Sequence, residues 1–339
     1  MPEWTRVLVA DPTEWLLEEG NPSVRYLTLT NILGRRKADP EVQRSKADIM
    51  RIGVVPRILS KNPGDGWSSP GRFYRDKYKG TVWQLIILAE HEADGDNKLI
   101  RAACEYILRY SQDSESYGFA YDPRNGGLGG RHSDVVPCLT GNMVWSLLKL
   151  GYHKDERIQK GIEWITKYQR FDDGVATRPK GWPYDRYEMC WGTHSCHSGV
   201  VKSLKALSAI PTKQRNKDIK DTIKRGGDYI LSHHIYKKSH DLEKVSKPGW
   251  LRLQFPLMYQ TDILEIAGIL LDLGTKDERM KNAIERIASK QNRKGQWNLE
   301  ATFNGKFWTN IEKKSMPSKW ITYRAMNVLK KYYEQKNEA

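Results

Sequence analysis

The sequence predicts an all-α fold, an α/α toroid or (α/α)6 barrel of about six helical hairpins with long loops over one mouth. Three observations support this prediction: a helix–turn–helix pattern that recurs, a nearly constant spacing between its copies, and unpaired helices at both ends. The chain has 339 residues, of which 39% are hydrophobic and 10% aromatic, so it can fill a large core. We therefore predict a single domain over residues 1–339.

The repeated pattern is clearest in two copies, one around Gly151 and Asp155 and the other around Gly274 and Asp277. In each copy a glycine follows the end of one helix and an aspartate starts the next. Apolar residues then recur at spacings of three and four, which is the period of one helix face. Looser copies fill the rest of the chain, so the pattern predicts hairpins throughout.

The spacing of the copies predicts a ring. The first helices start near Val24, Thr81, Leu139, His197, Thr261 and Trp320, in steps of 57, 58, 58, 64 and 59 residues. Helix pairs repeated at one period form solenoids or rings. The last copy has only its first helix, and an unpaired helix is expected around residues 12–19. Joining these two ends would close the ring.

The two helices of a pair differ in composition. The first is apolar over most of its surface and should be inner, whereas the second carries charge on one face and should be outer. Five long connections, 62–80, 113–138, 170–196, 234–260 and 292–319, lead into inner helices. Structureless loops longer than about 12–15 residues are usually functional. We expect these loops to crowd one mouth and to carry the site.

The charge balance is basic, with 56 Lys+Arg against 41 Asp+Glu and a net charge of +15. The lysines are spread over predicted outer helices and no recognition motif is present, so we expect no nucleic-acid partner. No apolar run approaches the roughly 20 residues of a membrane span. We expect no span, leaving peripheral membrane contact open, and a cytoplasmic location because the N-terminus lacks a leader pattern.

Gln291, Gly295 and Trp297 fit the Gln-x3-Gly-x-Trp signature that ends outer helices in squalene cyclases. The segments around Cys190 and Trp320 are also similar to a poorly characterised prokaryotic group of terpene cyclase-like proteins. The chain thus resembles proteins with prenyltransferase and squalene cyclase repeats. The resemblance implies an α/α toroid that binds an isoprenoid or other bulky, largely apolar, polycyclic ligand in a central aromatic cavity.

The resemblance leaves the reaction open. The Asp-x-Asp-Asp acid of class II cyclases is missing, since Asp172-Asp173 is followed by Gly174. Cyclisation or transfer would therefore need another mechanism. One alternative is a carbohydrate-active (α/α)6 enzyme, a glycosidase or lyase, which needs two opposed carboxylates. Another is a non-catalytic ligand-binding or interaction module.

Four residues are candidate metal ligands: Cys138, Cys190, His194 and Cys196. Cys138 and Cys196 hold equivalent places before adjacent inner helices, and the other two lie in the loop between them. Thiolate and imidazole ligands in fourfold sets are typical of zinc. Resemblance to protein prenyltransferase beta subunits implies that His194 matches their zinc histidine. A non-metal cluster of cysteines and histidines and a disulfide remain open.

Candidate ligand and catalytic residues lie in inner helices and the loops before them. Asp134 and Asp262 are candidate general acids if burial raises their pKa, although helix capping explains Asp262 equally well. Arg72 and Arg75 could bind an anionic group of the ligand. The remaining ligand-binding candidates are polar or aromatic: Trp83, Asn142, Trp191, Trp250, Phe255, Tyr259, Trp320 and Tyr323.

Overall fold

The computed structural model describes residues 3–334; residues 1, 2 and 335–339 lie outside the described residues. Within that range the chain forms fourteen α-helices and one two-stranded antiparallel sheet, so the all-α prediction is confirmed. The helices are α1 (Thr13–Leu16), α2 (Pro22–Leu27), α3 (Pro40–Asp48), α4 (Val54–Leu59), α5 (Thr81–Glu90), α6 (Lys98–Tyr110), α7 (Pro137–Lys149), α8 (Glu156–Tyr168), α9 (Glu188–Trp191), α10 (His197–Ser208), α11 (Lys217–Ser232), α12 (Ile263–Asp272), α13 (Lys281–Ala288) and α14 (Lys319–Glu334). The strands are β1 (Lys237–Lys238) and β2 (Asp241–Val245).

The chain divides into two compact units. Unit 1 comprises Met1–Ile58, Leu231–Leu257 and Thr261–Ala339, and unit 2 comprises Leu59–Ile230 and Met258–Gln260. The single domain over residues 1–339 stays a prediction.

The predicted starts of the first helices are confirmed, because α2, α5, α7, α10, α12 and α14 begin within two residues of them. Every residue of α5 is buried, whereas α6 and α8 bury one face. In unit 2, α7 packs against both α5 and α10. Gly141 permits the contact with α10, since a Cβ there would lie 2.4 Å from the carbonyl carbon of Lys202.

The turns within hairpins form as the sequence predicts. Gly151 and Gly274 adopt φ values of +97° and +87°, in the left-handed region that favours glycine. Asp155 caps α8 by accepting a hydrogen bond from the Arg157 amide at 2.9 Å. Asp277 caps a short 3-10 turn that leads into α13. The glycine ends one helix and the aspartate starts the next.

The two ends of the chain pack together in unit 1, as predicted. Helix α14 contacts α1 and α2. The Lys319 Nζ lies 2.7 Å from Glu18 Oε2, and Asn31 Nδ2 donates to the Tyr323 hydroxyl at 2.6 Å. The half-hairpins at the two ends therefore complete one another.

The Gln-x3-Gly-x-Trp signature stabilises the end of the last hairpin in unit 1. The Gln291 amide nitrogen donates to the Ala288 and Val7 carbonyls at 2.8 and 2.9 Å. Gly295 has φ +68°, and a Cβ there would lie 1.9 Å from a backbone oxygen. Trp297 is fully buried and donates from Nε1 to the Ile287 carbonyl. Each position has a structural role, which fits a signature for fold.

The five long connections lead into α5, α7, α10, α12 and α14, and the fourth contains β1 and β2. Within residues 3–334, no helix combines the length and the apolar character needed to cross a bilayer.

Candidate functional site

An aromatic cage forms in unit 2 where the first long connection meets α5. We use this name for Tyr74, Tyr78, Trp83 and Tyr259. The Trp83 ring centre lies 4.9 Å from that of Tyr74, 5.1 Å from that of Tyr78 and 6.2 Å from that of Tyr259. Trp83 is 1% exposed, and its Nε1 donates to the Tyr74 carbonyl at 3.0 Å. This bond and the packing of α5 fix the central ring.

The Lys77 ammonium lies against three rings of the cage. Its Nζ is 4.6 Å from the Tyr259 ring centre, 4.9 Å from that of Tyr74 and 5.9 Å from that of Trp83. Cations within about 6 Å of a ring centre are attracted to the electron-rich face. The cage therefore offers a site for positive charge. Of its members the sequence predicts Trp83 and Tyr259 alone.

Amide side chains with buried oxygen atoms adjoin the cage. Gln84 and Gln260 donate to the carbonyl and the hydroxyl of Tyr78, at 2.8 and 3.2 Å. Asn142 donates to the Met258 carbonyl at 3.0 Å. The side-chain oxygens of these three amides are buried and accept no hydrogen bond from any described residue. Three acceptors are therefore left for a ligand donor.

Three of the four predicted metal ligands lie near one another in unit 2. Cys138 is the second residue of α7, and Cys196 is the N-cap of α10. Cys190 is the last residue but one of α9. Burial and the neighbouring Cys196 raise the pKa of Cys138 to about 12. The pKa of Cys190 is raised mainly by a hydrogen bond with Cys196 and, to a smaller extent, by burial. All are free thiols, so no disulfide joins them.

The fourth predicted metal ligand, His194, pairs with an aspartate. The His194 Nδ1 lies 3.2 Å from Asp173 Oδ1, and the His194 side chain is 60% exposed. Among residues 3–334, the only three His, Cys, Asp or Glu residues with donor atoms all within 4.8 Å are Asp113, Glu115 and His132. In the described part of the chain, neither the predicted set of four nor its three thiols is therefore gathered within 4.8 Å.

Asp134, a predicted general acid, is buried and already engaged. Its oxygens accept hydrogen bonds from Arg131 at 3.2 Å, from the Ser133 hydroxyl at 2.9 Å and from the Tyr187 hydroxyl at 3.1 Å. The Arg186 guanidinium lies 3.6 Å away. Several donors surround this carboxylate, and the geometry favours a structural role.

The second predicted acid, Asp262, caps α12 in unit 1. It accepts hydrogen bonds from the Glu265 and Gln254 amides, both at 2.8 Å. Burial raises its pKa to about 6. The capping alternative is therefore confirmed, and both oxygens are used by backbone.

The two predicted anion-binding arginines pair with acids of unit 2. Arg72 Nε lies 2.7 Å from Asp76 Oδ1, and Arg75 binds both oxygens of the buried Asp122. These hydrogen bonds raise the pKa of both arginines. An anionic ligand would have to compete with these carboxylates.

The remaining aromatic candidates pack within the two units. In unit 1, Phe255 stacks on Trp320 at 4.2 Å between ring centres, and Trp250 is buried beside Lys247. In unit 2, Trp191 is buried against aromatic neighbours. These contacts, together with the hydrogen bond of Tyr323 described above, account for the five side chains as packing.

A histidine–aspartate pair in the second long connection is absent from the predicted site. His132 Nδ1 lies 2.7 Å from Oδ2 of Asp113, whose side chain is 0% exposed. Neither His132 nor Asp113 is among the candidate residues that the sequence predicts. A sequence signal was available in the Asp113-x-x-Ser116 turn, which holds the carboxylate in place.

No family model and no curated protein matches this chain. Similar solved structures include an unsaturated glucuronyl hydrolase specific for heparin, 12% identical, covering 96% of this chain and 87% of that one with a TM-score of 0.48. A possible GH105 family member from Salmonella enterica serovar Paratyphi A is 10% identical over 98% and 83%, with a TM-score of 0.47. The type II terpene cyclase MstE from Scytonema is 14% identical over 92% and 88%, with a TM-score of 0.40.

These similar structures include both carbohydrate-active and terpenoid enzymes, so they do not favour the resemblance to terpene cyclases over the carbohydrate-active alternative. At such identities and TM-scores they carry no argument about activity.

Proposed function

We propose that unit 2 binds a bulky, largely apolar small molecule of isoprenoid type, with a positively charged group seated in the aromatic cage. The observation that carries this proposal is the position of the Lys77 ammonium over three ring faces. Lys77 is exposed, and such an arrangement contributes about 0.5–1 kcal/mol at an exposed site and about 2 kcal/mol or more when a ligand shields it from water. In the ligand-free chain Lys77 occupies the place that a ligand cation would take.

The buried amide oxygens beside the cage support the same class of ligand. Gln84, Asn142 and Gln260 each keep a side-chain oxygen without a donor among the described residues. A buried acceptor without a partner costs about 1–3 kcal/mol. An ammonium or hydroxyl group of the ligand can supply the missing donors, while the rings take the apolar part.

The acids of unit 2 give less support to a glycosidase or lyase. Such an enzyme needs two carboxylates facing a cleft, one of them able to donate a proton. Asp122 is bound by Arg75 on both oxygens, and Asp134 by Arg131, Ser133 and Tyr187. The proposal therefore concerns ligand binding and assigns no acid step.

We also propose that Cys138, Cys190 and Cys196 would hold a zinc ion in unit 2, which would have to draw their sulfur atoms closer together than they lie here. A zinc ion held by three protein thiolates would supply Lewis acid chemistry. Zinc would have to displace the thiol proton of Cys138, because burial raises the pKa of this thiol to about 12, although the backbone N–H groups at the start of α7 favour the thiolate. His194 stays outside this ligand set while it pairs with Asp173.

Binding can be measured by calorimetry with farnesylamine and farnesol, which share one isoprenoid chain and differ in charge. We expect the amine to bind about 5–30-fold more tightly, because about 1–2 kcal/mol of cation–π attraction is available only to the cation. Trp83→Leu should remove that advantage, and Lys77→Met should strengthen amine binding by removing the internal competitor.

Trp164→Leu serves as the matched control, because Trp164 is a buried tryptophan of α8 outside the cage. Its affinities should equal those of the wild type. Failure of both ligands to bind the folded protein would refute the proposal. Equal effects of Trp83→Leu and Trp164→Leu on amine binding would show that the cage is not the binding site.

A further inference from the structure

His132 is positioned by three contacts that restrict its ring. Nδ1 lies 2.7 Å from Asp113 Oδ2, and the ring stacks on Trp182 at 4.1 Å and 13°. Trp182 in turn donates from Nε1 to the His132 carbonyl at 2.9 Å. Tyr168 packs its edge against Trp182 from α8. The imidazole is therefore fixed in place and direction.

The partners of Asp113 determine which nitrogen of His132 carries a proton. Oδ2 also accepts hydrogen bonds from the amide and the hydroxyl of Ser116, at 3.0 and 2.6 Å. An ionised carboxylate can only accept hydrogen bonds, so the His132 nitrogen that faces Asp113 Oδ2 must be the donor. In its neutral form His132 therefore carries its proton on Nδ1, and the lone pair is on Nε2.

Nε2 remains available at the surface of unit 2. The His132 side chain is 35% exposed, and no residue in the described part of the chain hydrogen-bonds to Nε2. No serine, threonine or cysteine there hydrogen-bonds to it either. The nucleophile that this nitrogen can activate is consequently water.

A metal ion is the competing explanation, because donor atoms of Asp113, Glu115 and His132 lie within 4.8 Å of one another. Arg124 already supplies positive charge there: its guanidinium lies 2.7 Å from Glu115 and 3.9 Å from Asp113 Oδ1. A divalent cation would have to displace Arg124 and break the bond between His132 and Asp113. The contacts favour the dyad.

We propose that His132 and Asp113 form a catalytic dyad for water-dependent hydrolysis of acyl esters, at a site that uses no residue of the aromatic cage. Nε2 takes a proton from water as the water oxygen bonds to the acyl carbon. The tetrahedral intermediate then expels the alkoxide, which takes the proton from Nε2. The products are acid and alcohol, and His132 is restored. Asp113 is a positioning residue that holds the tautomer.

The test uses the full chain and p-nitrophenyl acetate, with release of p-nitrophenolate followed by absorbance. General base catalysis contributes about 100-fold or more, so His132→Gln should lower the protein-dependent rate constant by about that factor. His153→Gln is the control, because His153 is an exposed histidine of unit 2 with no ion pair among the described residues. Its rate should equal that of the wild type.

Nitrogen-15 NMR of the wild-type histidine rings tests the tautomer of His132 without relying on activity or on a variant, and the variant then tests the role of Asp113. The wild type should show the Nδ1–H tautomer for His132, and Asp113→Asn should lose both this tautomer and the rate. A wild-type His132 in the Nε2–H form would overturn the proposal. An unchanged rate in His132→Gln would do the same.

Rate loss with EDTA that Zn2+ restores would replace the dyad with a metal site. Farnesylamine binding should be unaffected by His132→Gln, so failure of the dyad and failure of the cage are separate results.

Discussion

Substitutions in the ion pair between Glu90 and Lys205 test how the helices of unit 2 are held together. Glu90 ends α5 and Lys205 lies near the end of α10. Lys205 Nζ is 2.6 Å from Glu90 Oε1, and both side chains are 7% exposed. The same ammonium lies 3.9 Å from the ring centre of Trp145. One buried cation thus links α10 to α5 and α7.

Removing one partner of a buried ion pair leaves a charge without compensation, which costs about 3–5 kcal/mol. Glu90→Gln keeps the size of the side chain and removes its charge. We therefore expect the free energy of unfolding to fall by about 3–5 kcal/mol. Glu90→Leu combined with Lys205→Met removes both charges, and the loss should then largely disappear.

Urea unfolding, monitored by tryptophan fluorescence, measures these differences. The comparison requires that the slope of the unfolding free energy against urea concentration is the same in the wild type and the variants. Asp228→Asn is the control, because its partner Lys224 lies 2.8 Å away in an exposed pair on α11. Exposed pairs contribute about 0–1 kcal/mol. A loss in Glu90→Gln no larger than that in Asp228→Asn would refute the reasoning.

Two further predictions concern Asp262 and the thiols. Burial raises the pKa of Asp262 from 3.8 to about 6, so the folded state holds the proton more tightly and stability falls as pH rises between these values. The loss is about 3 kcal/mol, and Asp262→Asn should flatten this part of the pH profile of urea unfolding; an identical profile would contradict it. Elemental analysis should find zinc in the purified protein, absent from Cys138→Ser and retained in Cys104→Ser, a buried thiol of α6. Equal zinc in both variants would rule out the thiol site.

The hairpins could be predicted because their signals are local. A glycine with positive φ, as at Gly151, and a capping aspartate four residues later act within one turn of backbone. The apolar spacing of three and four likewise depends only on the helix itself. The signature at Gln291, Gly295 and Trp297 is also read within a few residues, and each position has the contact that its chemistry suggests.

The cage could be predicted only in part, because its members come from separate stretches. Trp83 belongs to an inner helix, and Tyr259 precedes another, so their positions follow from the repeat. Tyr74 and Lys77 lie in an irregular connection whose path depends on tertiary contacts, such as the hydrogen bond from Trp83 to the Tyr74 carbonyl. No periodicity indicates where such side chains point.

The candidate acids show most clearly why residue type does not determine a role. Asp134 and Asp113 lie in one connection and both are buried, so neither the connection that holds them nor their burial distinguishes the two. Asp134 receives donors from a later loop, including Tyr187, and is surrounded. Asp113 instead holds His132, whose other nitrogen faces solvent. The difference depends on which donors approach each carboxylate, and folding brings those donors together from distant parts of the chain. A search for function in such loops should therefore start from buried carboxylates that orient an exposed group.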